Sequence, residues 1–134
     1  IELLQKMIKK LKLELNFNFL GNMKRNDIYK NIRNYNLLVH SARYEGFGLV
    51  VAEAMCAKIP VLVSNVDGPL EIIQNGKYGF YFKSGDPNDL SLSLRNVLEP
   101  YSSEENKKYL KRAGFKDFMT IMKSHSFEGF LAIK

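Results

Sequence analysis

From residue 49 to residue 57 the chain reads LVVAEAMCA, an apolar run broken by one charge, Glu53. Wound into a helix, Leu49, Val50, Val51, Ala52, Ala54, Met55, Cys56 and Ala57 make every face hydrophobic, which predicts a core helix rather than a surface one. Any fold open to this chain has to bury that helix. An ionised carboxylate in such a place is costly unless it is paired or hydrogen-bonded, so Glu53 requires a partner. A second carboxylate, Glu45, stands just ahead of the turn Gly46-Phe47-Gly48 that leads into the helix.

The 134 residues suffice for one domain with its own core. A hydrophobic fraction of 46% and a charged fraction of 25% exclude a disordered chain. Lys and Arg outnumber Asp and Glu by 20 to 14, and the resulting charge of +6 fits either a solvated basic surface or an anionic partner. The basic residues lie scattered along predicted helices without clustered arginines and exposed aromatics, which argues against nucleic-acid binding. The lone Cys56 excludes an internal disulfide and is compatible with a reducing cytoplasm. No apolar run reaches the roughly 20 residues needed to span a bilayer. The chain lacks an initiator Met and an N-cap, so residues 1–134 are expected to be a single domain truncated at its N-terminus, with 123–134 as a tail.

Taken in order, Ile1, Leu4, Ile8 and Leu11 keep helical spacing and predict a helix over 2–13. Its lysines, Lys6, Lys9, Lys10 and Lys12, suit an outer helix or a peripheral contact with an anionic membrane. Leu15, Phe17 and Phe19 alternate with asparagines as an edge strand before Gly21. A helix over 25–35 turns Ile28, Tyr29 and Ile32 inward. Strands follow over 37–39, 61–63 and 80–82, the second just after Pro60. Gly68-Pro69 places a proline at the start of a helix over 70–74, and Asn75-Gly76 ends it. Asp86-Pro87 supplies an N-cap and first residue for a helix to about residue 98, with Leu90, Leu94, Val97 and Leu98 facing in. Ser102 and Glu105 stand at capping-box spacing for a last helix through residue 123. The tail's Phe127, Phe130 and Leu131 need an apolar partner.

Strands and helices alternate at about one strand per twenty residues, the pattern of βαβ units. The fold class is therefore α/β, a Rossmann-like parallel sheet flanked by helices. Ligands of such sheets bind beyond the carboxyl ends of the strands, where the loops 40–48, 64–69 and 83–86 lie.

In the first of these loops Gly46 and Gly48 permit close backbone approach or unusual dihedrals, and the chain passes straight into a helix N-terminus. Free N–H groups at Phe47, Gly48, Leu49 and Val50, with the positive end of the helix dipole, favour a phosphate or a developing negative charge. The loop is neither a dinucleotide fingerprint nor a Walker loop. Glu53, about one and a half turns into the helix, can accept both hydroxyls of a vicinal diol such as a ribose. Equally, it can be a structural carboxylate satisfied by backbone N–H groups or by a lysine. Glu45 can bind sugar hydroxyls, stabilise positive charge on a reacting carbon, or simply cap the loop. Arg43 suits surface solvation better than pairing with a phosphate or Glu45.

Glu45 and Glu53, with seven residues between them in YEGFGLVVAEAMCAKIPVLVS, are followed in order by VDGPLEII and NGKYGFYFKSGDP. Over about residues 17–98 this resembles the C-terminal nucleotide-sugar domain of the retaining family 4 glycosyltransferases of the GT-B fold. The resemblance implies that Glu53 holds the donor ribose and that Glu45 contacts the transferred sugar near the reaction centre. It implies that the backbone of Gly46, Phe47 and Gly48 faces the sugar, and the N–H groups of Leu49 and Val50 the distal phosphate. It further implies a nucleotide diphosphate sugar as donor and a glycan or glycolipid as acceptor. The reaction would be cytoplasmic or membrane-peripheral and part of polysaccharide or lipopolysaccharide synthesis. No cofactor and no metal are expected, in keeping with the lack of an Asp-x-Asp motif. Two departures stand out. Lys58 occupies a position where many members have glycine, and the Arg and Lys that neutralise the diphosphate precede this stretch in the family. Without them and without an N-terminal acceptor domain, these residues alone are expected to be inactive. The alternative from another class is a non-catalytic module that binds a nucleotide sugar or keeps the fold for structural ends.

Overall fold

The computed structural model describes residues 1–98, 120–122 and 130–133. Its elements are α1 (Glu2–Lys10), β1 (Phe17–Asn18), α2 (Arg25–Asn31), β2 (Leu37–His40), α3 (Leu49–Cys56), β3 (Val61–Ser64), α4 (Asp67–Ile72), β4 (Phe80–Phe82), α5 (Pro87–Leu98), β5 (Thr120–Met122) and β6 (Phe130–Ile133). Strands β2, β3 and β4 run parallel, with Val39 opposite Leu62 and Val63 opposite Tyr81. Every residue of β2 and β3 is buried, as near-continuous apolar strands covered on both faces must be.

Alternation along these strands divides the core in two. On one face Leu38, Val61 and Val63 pack with Val51 and Ala54 of α3, Ile73 after α4, and Ile32 and Tyr35 after α2. On the other, Leu37, Val39, Leu62 and Phe82 meet Val97 of α5, supported by Leu90, Leu94 and Leu98. All four predicted inward residues of α5 therefore face the sheet. Asp86 caps that helix as expected, its carboxylate accepting from the N–H groups of Asn88 and Asp89 at 3.1 and 3.2 Å.

Several expectations need correction. The sheet is mixed: its order is β1-β5-β6-β2-β3-β4, and β6 runs antiparallel to both β2 and β5. The tail so provides a strand whose Leu131 pairs in register with Val39. Residues 120–122, assigned by their spacing to a last helix, form a strand between β1 and β6, because sheet pairing across distant segments overrides local periodicity. The rest of that expected helix lies outside the described residues, as does Phe127. The first helix stops at Lys10, where Lys12 adopts a left-handed φ of 55°. Of its four apolar positions only Ile8 is buried. The first strand shrinks to two residues at the sheet edge because a 3₁₀ turn takes Glu14–Asn16. Helix α4 begins at Asp67, so Pro69 sits third in the helix, still within the first turn where its missing N–H leaves no bond unmade. Helix α3 buries Val51 and Ala54, while Leu49 and Cys56 are exposed. It covers the sheet with one face and leaves the opposite face open. Among the described residues no helix is long and apolar enough to cross a membrane.

Helix α3 ends in a Schellman motif. The N–H of Ile59 bonds to the carbonyl of Ala54 and that of Lys58 to the carbonyl of Met55, both at 2.9 Å. The motif needs a left-handed residue at Lys58, which has a φ of 63°. A Cβ in that conformation costs roughly 1–2 kcal/mol, and glycine avoids it. Lys58→Gly is therefore expected to raise stability by about 1 kcal/mol once glycine's own entropy cost is deducted. Chemical denaturation of the two proteins side by side checks this, and an unchanged or lower midpoint would contradict it.

Candidate functional site

Because β2, β3 and β4 are parallel, their carboxyl ends share one edge of the sheet, and the loop from β2 to α3 emerges there. Two contacts hold it. The buried hydroxyl of Ser64, last residue of β3, donates to the carbonyl of Ala42 at 2.6 Å. Gly68 in α4 lies against the loop backbone so closely that a Cβ on it would stand 2.7 Å from the carbonyl carbon and oxygen of Gly46 and from the Cα of Phe47. Gly68 is thus the glycine that permits the close approach, while Gly48 supplies the unusual dihedral. Gly48 turns the chain into α3 with φ 84° and ψ 51°, a left-handed conformation that glycine adopts without strain.

The carboxylate of Glu45 folds back on this turn. Its Oε1 accepts from the N–H groups of Phe47 at 3.1 Å and Gly48 at 3.0 Å. Of the four N–H groups expected to be open, two are therefore engaged by the protein itself, in the capping role foreseen as the alternative for Glu45. No acceptor among the described residues takes the N–H groups of Leu49 and Val50. Around them the surface is unusually apolar for a loop, with Tyr44, Phe47 and Leu49 all exposed. Arg43 is exposed as well.

Behind Glu45 lies His40, the last residue of β2, only 1% exposed. Neither imidazole nitrogen has a hydrogen-bond partner among the described residues. Its Nε2 stands 3.7 Å from Oε2 of Glu45, beyond hydrogen-bond reach. Burial pushes the imidazole pKa down, and the nearby carboxylate opposes that only in part.

Glu53 sits on the half-open face of α3, and its partners come from α2. Its Oε1 accepts from the hydroxyl of Tyr29 at 2.8 Å and from Nη2 of Arg25 at 3.1 Å. The side chain of Glu53 is 14% exposed and that of Arg25 64%. Hydrogen bonds to Tyr29 and then Glu53 raise the pKa of the Arg25 guanidinium. The charge that an apolar helix seemed unable to tolerate is thus paired, by an arginine and a tyrosine and not by backbone N–H groups or a lysine.

Glu45, the Gly46-Phe47-Gly48 turn and the start of α3 at Leu49 and Val50 form one contiguous structure, with Glu53 one turn further along the same helix. Arg25, His40 and Gly68 were not expected to act at the site, and Tyr29, expected to face inward, is exposed beside Glu53 instead. The four-residue spacing of Arg25 and Tyr29 marks them as neighbours on one helix face, but nothing local signals a carboxylate 24 residues beyond Tyr29.

The profile of the glycosyl transferases group 1 matches residues 2–117. The chain belongs to that family. It is 40% identical over 86 residues to a sucrose synthase of Melioribacter roseus, a match covering 60% of this chain and 11% of that protein. It is 34% identical over 95 residues to an uncharacterized glycosyltransferase of Methanocaldococcus jannaschii, covering 71% and 26% respectively. A capsular polysaccharide biosynthesis glycosyltransferase of Staphylococcus aureus, CapM, is 32% identical over 72 residues, or 54% of this chain and 19% of the relative. The chain matches at most about a quarter of the length of these curated relatives, 26% in the second. The Rossmann-like α/β fold, with its three parallel strands flanked by helices, agrees with membership.

His40 links this site to pH. Its imidazole is harder to protonate folded than unfolded, so below about pH 6.5 the unfolded chain binds the extra proton. The stability that depends on neutral His40 is present above that pH and is lost as pH falls toward the depressed folded value. The loss is up to about 1.4 kcal/mol per pH unit. His40→Leu is expected to show a shallower fall in urea-unfolding free energy from pH 7 to pH 5 than the parent. Parallel pH profiles would show that His40 titrates alike in both states.

Proposed function

We propose that the chain is the donor-binding part of a glycosyltransferase that moves a hexose from a nucleotide diphosphate sugar to an acceptor hydroxyl, with retention at the anomeric carbon. Glu53 accepts the ribose hydroxyls, the backbone of Gly46, Phe47 and Gly48 faces the sugar, and the N–H groups of Leu49 and Val50 receive the distal phosphate. Glu45 lies near the transferred sugar. As the bond between the anomeric carbon and the phosphate oxygen breaks, negative charge grows on the phosphate. The helix N-terminus is suited to stabilise that charge. The reading assigns no step to a metal ion.

The observation that carries this reading is the junction at the carboxyl edge of the parallel strands. A helix start there keeps two N–H groups available, at Leu49 and Val50, between a carboxylate on the turn and a carboxylate on the helix. Family membership and the names of the relatives support glycosyl transfer. The capsular polysaccharide relative favours a glycan acceptor; a glycolipid acceptor and a cytoplasmic or membrane-surface reaction are part of the proposal. Relatives several times longer than this chain fit an acceptor-binding domain supplied elsewhere in a longer protein.

One observation favours a second reading. The Arg25–Glu53 ion pair at 3.1 Å is what a purely structural Glu53 would show, as in a module that keeps the fold without turnover. The two readings separate on one variant. In the full-length protein Glu53→Gln is expected to weaken binding of the preferred donor, found by screening UDP, GDP and ADP sugars, by about 1.5 to 3 kcal/mol. Calorimetric titration measures this. Unchanged donor affinity with lowered thermal stability would assign Glu53 to structure alone.

A further inference from the structure

The hydrogen bonds around Glu53 have a direction. Arg25 Nε lies 3.1 Å from the hydroxyl oxygen of Tyr29, and a guanidinium can only donate. Tyr29 therefore accepts from Arg25, and its single proton is left for Glu53 Oε1 at 2.8 Å. Arg25 Nη2 donates to that same oxygen at 3.1 Å, so Oε1 takes two donors. The guanidinium carbon also lies 5.6 Å from the centre of the Tyr29 ring, which holds the two α2 side chains together. Glu53 Oε2 has no hydrogen-bond partner among the described residues. One oxygen is thus committed to the protein, and the other, on a carboxylate that keeps some exposure, is left open.

We propose that Tyr29 is a positioning residue for donor recognition: with its proton aligned by Arg25, it anchors Oε1 of Glu53 and presents Oε2 to the vicinal diol of a nucleoside diphosphate. This rests on the ribose-binding reading of Glu53 and goes beyond it by assigning the two α2 residues that set the carboxylate's rotamer and leave one oxygen for the ligand. Arg25 need not leave for the diol to enter. A carboxylate held in one orientation also loses less side-chain freedom on binding than a mobile one.

The test titrates the full-length protein calorimetrically with UDP, GDP and ADP and with their 2′,3′-dideoxy counterparts, using whichever base binds the parent. Tyr29→Phe is expected to weaken the ribonucleotide roughly five- to tenfold, the worth of one hydrogen bond, and the dideoxynucleotide less than about twofold. In a Glu53→Gln background the same change should add nothing, since coupled residues are not additive. Arg25→Met, at an exposed position, should act in the same direction with a smaller loss. Equal weakening of both nucleotides by Tyr29→Phe, or a full loss persisting in the Glu53→Gln background, would make Tyr29 a general structural residue and overturn the proposal. No effect of Tyr29→Phe, while Glu53→Gln still separates ribo from dideoxy ligand, would overturn it alone. If Glu53→Gln fails to separate the two ligands, the ribose reading of Glu53 falls and the positioning role falls with it.

Discussion

Burial of β2 and β3 on both faces is the constraint from which the rest of the architecture follows. Strands without a polar face must be covered twice, so α3, α4 and the turn after α2 take one side of the sheet and α5 the other. Helical connections between successive strands also make those strands parallel, which gathers their carboxyl ends at one edge. The site is a consequence of that edge. Loop 41–48 leaves β2 there and must reach the start of α3 above the apolar layer formed by Val51 and Ala54.

The large apolar side chains of that loop, Tyr44 and Phe47, are exposed and do not anchor it. Polar and steric devices hold it in place: the Ser64 hydroxyl on the Ala42 carbonyl, the missing side chain at Gly68, and the Glu45 carboxylate on the turn N–H groups. Each joins the loop to an element of the sheet edge or to itself. A rigid scaffold beneath a tethered loop is the general arrangement for binding residues carried on loops. Its stability comes from the two apolar layers, whereas its geometry depends on a few hydrogen bonds and two glycines, Gly48 and Gly68.

Most of the layered core could be read from the residues, because the signals that specify it are local. Apolar runs over 37–39 and 61–63, the helical spacing of Leu90, Leu94, Val97 and Leu98, and the Asp86 cap each express a preference within a few residues. The mixed sheet could not be read so. Strand β6 pairs antiparallel to β2 across about ninety residues of chain, and no local pattern encodes the direction of a distant partner. Helix α3 misled for a related reason: composition made every face apolar, but which face meets the sheet depends on elements elsewhere. For the candidate site, the two carboxylates and the glycine turn were visible as unusual residues in an apolar setting. Their partners Arg25, Tyr29 and His40 were not, since ordinary residues on other elements become significant only when the fold brings them within 4 Å of a carboxylate.

The two carboxylates solve the same problem in opposite ways. Both sit beside apolar surface and both need compensation, yet Glu45 draws its hydrogen bonds from the backbone of its own turn and Glu53 from side chains of another helix. Backbone N–H groups at a helix start are an anion seat whoever occupies it, and Glu45 fills half of that seat with a tethered negative charge. The phosphate of the proposed donor would therefore find the N–H groups of Leu49 and Val50 unoccupied but would meet the repulsion of Glu45 beside them unless that carboxylate moved. Glu53 faces no such competition, because its donors are side chains on Oε1 and its second oxygen has no hydrogen-bond partner among the described residues. In this arrangement Glu53 can receive a neutral diol with no rearrangement, while an anion next to Glu45 requires one. If the proposed donor binds here, any rearrangement that admits its phosphate belongs on the Glu45 side of the turn, next to the buried imidazole of His40.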